Sequence, residues 1–178
     1  MKTVQLHGLT FDLFLDQSTL QKQIQELALN VSKDYAGKCP IIISVLNGAF
    51  RFTSTFMDYY NGLCEVSFIR VKSYEGTSST GKVKELLGLD RSIENRDIII
   101  MEDIVDTGET IEFLWQELSA LNPSSIQIAT LFLKPEIYGK EIPINYIGQS
   151  IPNRFIVGFG LDYDELGRNL NAIYQKKE

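Results

Sequence analysis

Apolar positions along the chain follow two rhythms. Unbroken or nearly unbroken apolar runs occur at Pro40 to Val45, Ile98 to Met101, Ile126 to Leu133 and Phe155 to Phe159. Short runs of this kind, rich in β-branched residues, suit strands buried on both faces of a parallel sheet. Cys64 to Lys72 predicts a further strand through Val66, Phe68 and Val71. Between these runs the apolar residues repeat at helical spacing. Leu20, Ile24, Leu27 and Val31 share one face of a helix predicted over 18–36, with Ser18-Thr19-Leu20-Gln21 as a capping box and Gly37 at its close. A second helix is predicted over 49–60, ended by Asn61-Gly62. The third, over 110–121, turns Ile111, Leu114, Trp115 and Leu118 inward and stops at Asn122-Pro123. Val4 to Leu15 alternates loosely and supplies one or two peripheral strands, while 86–96 reads as a turn region. Strands alternating with helices predict an α/β fold with a mainly parallel open sheet flanked by helices. No repeat, low-complexity tract or second-domain boundary interrupts the pattern, so residues 1–178 are expected to form a single domain.

Composition narrows the classes. Hydrophobic content of 44% and charged content of 22% are ordinary for a soluble globular protein. A net charge of -6 argues against nucleic acid or an anionic membrane as the main partner. Cys39 and Cys64 form no C-x-x-C pattern and read as buried thiols of a cytosolic protein. His7 is the only histidine, which excludes a His-rich metal centre and leaves it a structural role. The first residues lack a signal-peptide pattern, and no apolar run nears the roughly 20 residues of a membrane span. A cytoplasmic location is expected.

Chemistry concentrates in Asp97 to Thr110, DIIIMEDIVDTGET. The apolar strand leads into Glu102 and Asp103, then Asp106, then Thr107-Gly108-Glu109-Thr110 at a helix start. The order expected is strand, tight acidic turn, helix. Backbone N–H groups from Asp106 to Thr110 form an anion cradle, and Gly108 lets the main chain approach a ligand closely. Carboxylates beside a phosphate repel it unless something lies between. Sugar hydroxyls bonded by the carboxylates, together with Mg²⁺, resolve the conflict. The alternative is a solvated acidic loop after a core strand.

The stretch resembles the phosphoribosyl-pyrophosphate (PRPP) motif of type I phosphoribosyltransferases: an apolar strand, two acidic residues, two more residues, then Asp-Thr-Gly-x-Thr. That resemblance implies the type I fold, with a small hood formed by the chain ends and a flexible lid loop. Leu46-Asn47-Gly48-Ala49-Phe50 is similar to the diphosphate loop of the purine branch, where the bond before the second residue is typically cis. Many relatives carry lysine at the position of Asn47. Ser73-Tyr74 and the following Thr-Ser-Ser-Thr-Gly segment resemble that branch's lid; read on composition alone, 73–82 is a surface hairpin or a lid.

Two further stretches carry the purine-branch resemblance. Lys134, at the end of a strand, matches a lysine that contacts the 6-oxo group of the base. Asn153 to Arg168, NRFIVGFGLDYDELGR, resembles the purine-binding end of hypoxanthine-guanine phosphoribosyltransferases. There the residue matching Phe155 stacks on the base and main-chain groups matching Ile156 bond its edge. The aspartate matching Asp162 holds a second Mg²⁺, and the arginine matching Arg168 contacts diphosphate. Glu102 and Asp103 are implied to orient the ribose hydroxyls and the metal. Asn47, Gly48, Asp106, Thr107, Gly108, Glu109, Thr110 and Arg168 are implied to bind PRPP, with Asp106 the general base. The implied substrates are PRPP with hypoxanthine or guanine, and the implied assembly is a homodimer or homotetramer. The competing readings are a PRPP-binding regulator without catalysis and a transferase for orotate or uracil.

Overall fold

The computed structural model describes residues 2–75 and 82–177. In chain order the elements are β1 (Thr3–Leu6), β2 (Leu9–Leu15), α1 (Gln17–Asp34), β3 (Ile41–Leu46), α2 (Phe50–Met57), β4 (Glu65–Glu75) and β5 (Lys82–Leu87). They continue with β6 (Asp97–Val105), α3 (Glu109–Ser119), β7 (Ser125–Leu133), β8 (Tyr146–Ser150), β9 (Ile156–Val157) and β10 (Ile173–Lys176). Six strands form one sheet in the order β5-β4-β3-β6-β7-β8. Within it β3, β4, β6, β7 and β8 run parallel, and β5 pairs antiparallel with β4. The remaining four, β1-β2-β10-β9, form a small antiparallel sheet built from the two ends of the chain.

The apolar runs behave as expected of strands covered on both sides. Ile42, Ile99, Met101, Ala129 and Leu131 face α1 and α2, where Leu20, Ile24, Leu27, Val31, Phe52 and Phe56 meet them. Ile41, Ile43, Ile98, Ile100 and Ile128 face Ile111, Leu114 and Leu118 of α3. Burying side chains at about 25 cal/mol per Å² on both faces makes this three-layer unit the main source of stability. The small sheet has its own cluster around Phe11, Val157 and Tyr174. Ile156, Phe159, Leu161 and Ile173 join the α1–α2 cluster and tie the hood to the large sheet.

Several boundaries differ from the sequence reading. Asp16, not Ser18, caps α1: its carboxylate accepts the Thr19 N–H at 2.8 Å, and the Ser18 hydroxyl donates to the same oxygen. Strand β5 occupies 82–87, overlapping the expected turn region, and β8 and β10 had no expected counterpart. Phe155 to Phe159 yields only the two-residue β9 before the chain turns at Gly158, whose φ is 105. Ser73 and Tyr74 lie in β4 opposite Lys84 and Val83. The rest of the expected lid, 76–81, lies outside the described residues. Among the described residues, no helix is long and apolar enough to cross a membrane.

Candidate active site

Strand β6 does not end where the charges begin. It continues through Glu102 and Asp103 to Val105, with Glu102 opposite Thr130 of β7. Both carboxylates are therefore buried in the sheet, 9% and 8% exposed, and the acidic turn reduces to Asp106 and Thr107. Gly108 follows at φ 84 as the cap of α3, and its carbonyl accepts the Glu112 N–H at 2.8 Å. A Cβ at this glycine would meet the Tyr138 ring at 2.5 Å, so both the turn and the close packing require glycine. Around this turn lies a cavity of about 220 Å³, lined by Glu102 and by the run from Ile104 to Ile111. The N-terminus of α3 opens onto this cavity, which is large enough for a phosphate. Thr107 and Glu109 are exposed there and Thr110 is half-buried.

The acidic pair is electrostatically strained. Burial raises the Glu102 carboxyl well above its ordinary value, and the adjacent Asp103 charge adds to the effect. Among the described residues, Glu102 Oε2 has no hydrogen-bond partner. Asp103 is pushed up to about 6, again chiefly by burial; its bond from the Ile104 N–H at 2.9 Å and the Arg168 charge offset this in part. Two adjacent buried carboxylates with an unpartnered oxygen call for a cation from outside the chain. Among the described residues no three His, Cys, Asp or Glu side chains cluster as a metal cage. The pair instead fits a hard divalent ion that takes one or two carboxylates and completes its shell with substrate oxygens and water. Asp162 is near enough for its charge to add to the rise at Asp103, but its own oxygens are engaged. Its Oδ1 lies 2.8 Å from Arg168 Nη2, and its Oδ2 accepts the Glu165 N–H at 2.9 Å.

Other elements close on this centre. The 46–48 turn, with a cis Leu46–Asn47 bond, lies directly on Asp103: a Cβ at Gly48 would stand 1.7 Å from Asp103 Oδ2. Gly160 presses on that turn in the same way, since its own Cβ would lie 2.1 Å from the Gly48 carbonyl oxygen. Arg168 Nη1 donates to the Gly160 carbonyl at 3.1 Å, which brings the guanidinium to the same layer. On the opposite side of the turn, buried Lys134 extends Nζ to within 2.8 Å of Asp106 Oδ1, and its N–H donates to the Val105 carbonyl at 3.0 Å. Asp106 and Lys134, 28 positions apart, are thus brought together by the parallel pairing of β6 and β7.

The purine-end residues sit on the hood. Ile156 is buried in β9, opposite Gln175. Phe155 is 45% exposed, its ring edge-on to Tyr163 at 5.7 Å and tilted against Phe11 at 6.2 Å. His7 also belongs to this aromatic group, 5.6 Å from Tyr163, with Nε2 at 3.1 Å from the Asp164 carbonyl. Sequence reasoning missed Phe11, Tyr163 and Gly160. The Gly158-Phe159-Gly160 spacing was the available signal for a tight loop, while nothing local marks Phe11 as a neighbour of Phe155. Among the aromatics of α2 and the turn after it, Phe52 and Phe56 are core, Tyr59 and Tyr60 pack partly against it, and Phe50 is 41% exposed.

Known proteins agree with this geometry. A family model described as a phosphoribosyl transferase domain matches residues 12–164. The hypoxanthine-guanine phosphoribosyltransferase of Streptococcus mutans is 44% identical over 155 residues, covering 86% of each chain. That of Streptococcus thermophilus is 42% identical over 167 residues, covering 93% of each. Among solved structures, a hypoxanthine phosphoribosyltransferase from Staphylococcus aureus superposes with a TM-score of 0.83 at 36% identity, covering 93% of this chain and 91% of that one. A Trypanosoma cruzi hypoxanthine phosphoribosyltransferase variant in a ternary substrates complex gives 0.85 at 30% identity, covering 93% and 94%. With a family model matched over residues 12–164 and relatives 42–44% identical over most of both chains, the chain belongs to the type I phosphoribosyltransferases, in their hypoxanthine-guanine family.

Proposed function

We propose that this chain is a purine-salvage enzyme that transfers the 5-phosphoribosyl group of PRPP to N9 of hypoxanthine and of guanine, releasing diphosphate and giving IMP and GMP. The observation that carries the reading is the Asp106–Lys134 pair at 2.8 Å beside the α3 anion cradle and the buried acidic pair. Backbone N–H groups of Asp106, Thr107, Gly108, Glu109 and Thr110, with the two threonine hydroxyls, receive the 5-phosphate. Asn47 and Gly48 offer main-chain groups to the diphosphate, and Arg168 adds positive charge there. Glu102 and Asp103 orient the ribose hydroxyls and hold Mg²⁺, which when bound neutralises charge on the departing diphosphate. Asp162 would hold a second Mg²⁺, in place of its contact with Arg168.

Lys134 donates to the 6-oxo group, the Ile156 main chain bonds the base edge and Phe155 stacks on the ring. A purine arriving at Lys134 draws Nζ away from Asp106 and frees that carboxylate to take the proton near N7. A site built to donate to a carbonyl rejects adenine, which presents a donor at the same place. Ser73 and Tyr74 belong to a lid that excludes water. The proposal extends to one phosphoribosyltransferase domain over residues 1–178, a homodimer or homotetramer, and a cytoplasmic location.

The test is direct. The protein is incubated with PRPP and Mg²⁺ and, in turn, hypoxanthine, guanine, adenine, orotate and uracil, and the nucleotide formed is measured. IMP and GMP are expected. Turnover with orotate alone overturns the choice of base, and tight PRPP binding with no turnover on any base overturns catalysis.

A further inference from the structure

Arg51 stands in the first turn of α2, where the helix dipole disfavours a cation. Its partners lie elsewhere. Nη1 donates to the carbonyls of Asn169 at 3.0 Å and Leu170 at 2.8 Å, and Nη2 donates to Asn171 Oδ1 at 2.9 Å. The guanidinium also lies 4.8 Å over the Phe159 ring, a cation–π distance. One side chain thus grips both ends of the 158–171 loop, about 120 residues away in sequence.

That loop is bonded mainly to itself. Phe159 N–H donates to Leu170 at 2.9 Å, Gly160 N–H to Arg168 at 3.1 Å, and Leu170 N–H to Gly167 at 3.0 Å. Against the large-sheet unit it is seated by Phe159 and Leu161 in the α1–α2 cluster and by the Gly160 contact with Gly48, and its polar attachment there is the Arg51 side chain. By contrast, Ile156 and Val157 are held independently by pairing with β10. We propose that Arg51 is a positioning residue: it locks the loop bearing Arg168 onto the 46–48 turn, so that the diphosphate seat is formed before PRPP arrives. The functional half of this inference rests on the phosphoribosyl-transfer reading.

Preorganisation of this kind should separate the two substrates. Without Arg51 the loop must be ordered at PRPP's expense, while the base still meets an intact β9. Arg51→Met keeps the apolar stem over Phe159 and removes the donors; Arg51→Lys restores the charge and part of the bonding. In Arg51→Met the KM for PRPP should rise about tenfold, the scale of one charge-assisted hydrogen bond, with the hypoxanthine KM within about twofold. Arg51→Lys should fall between. Independently of activity, hydrogen exchange at Phe159, Gly160 and Leu170 should quicken about tenfold in Arg51→Met, with β3 and β6 unchanged. Unchanged exchange in this loop overturns the clamp. Faster exchange with both KM values unmoved, or raised equally, overturns its positioning role. Should the unaltered protein form no nucleotide, the transfer reading fails and the exchange comparison alone decides the clamp.

Discussion

The two sheets hold their parts of the crevice by different means. On the large sheet, Glu102 to Thr110 follow one another along a single strand, turn and helix. Their spacing is set by β6 and α3, and Lys134 arrives from the next strand, β7, already 2.8 Å from Asp106. On the hood, Phe155 and the loop that carries Asp162 and Arg168 are held by distant partners. Phe155 leans on Phe11, the Asp164 carbonyl meets His7 157 positions away, and Arg51 holds the segment after Arg168. In the proposed reading, the proton-transfer pair and the phosphate cradle thus lie in locally determined structure, while the stacking and edge contacts to the base lie in a layer that exists only when both chain ends come together. Changes on the large sheet should chiefly affect turnover, and changes on the hood chiefly affinity.

The sharpest separation is expected at Asp106. Asp106→Asn should lower kcat by roughly 10² to 10⁴ while leaving the PRPP KM within a few-fold. Equal kcat values in steady-state assays would remove Asp106 from the proton transfer. Gly48→Ala comes next, because its Cβ would fall 1.7 Å from Asp103 Oδ2 and either the turn or the carboxylate must move. A displacement near 1 Å should cost about 10² in kcat/KM. Activity near that of the unaltered protein would show that the turn is looser than the packing implies. On the hood, Phe155→Ala should raise the hypoxanthine KM about tenfold with kcat largely kept, as loss of one stacking face implies. A fall in kcat with KM unchanged would break the division between the sheets.

A smaller effect follows from the buried acids. Burial raises Asp103 from the ordinary 3.8 to about 6. Between those values the folded state holds more protons than the unfolded one, so this contribution is fully present below pH 4 and is lost as pH rises through 6. Ion-paired carboxylates such as Glu65, which Arg96 holds below its ordinary value, act in the opposite sense. Comparison with Asp103→Asn isolates the pair. Without ligands, the variant should melt about 5 °C above the unaltered protein at pH 8, and the gap should close toward pH 4. Parallel melting curves across that range would contradict the burial argument.

Legibility in the sequence divides along the same line. Helix α3, strand β7 and the turn at Gly108 were readable because apolar period and helix-start chemistry are local signals. The position of Glu102 and Asp103 was misread, since a pair of charges ordinarily ends a strand and here the strand carries them inward. Strand β9 has two residues and β10 four, too short to show a period, and β10, on which β9 pairs, is itself placed by β2 more than a hundred positions distant. Strand β8, YIGQS, carries little apolar signal of its own. The hood was therefore foreseen through family resemblance and not through pattern. Arg51 shows the same limit, because nothing near it in sequence reveals the carbonyls of Asn169 and Leu170.

The most direct measurement is diffraction from crystals soaked with IMP. The account places the phosphate on the amides of Asp106 to Thr110 and the 6-oxo group at Lys134 Nζ, with the ring against Phe155. A phosphate bound elsewhere, with the turn around Gly108 left empty, would contradict it.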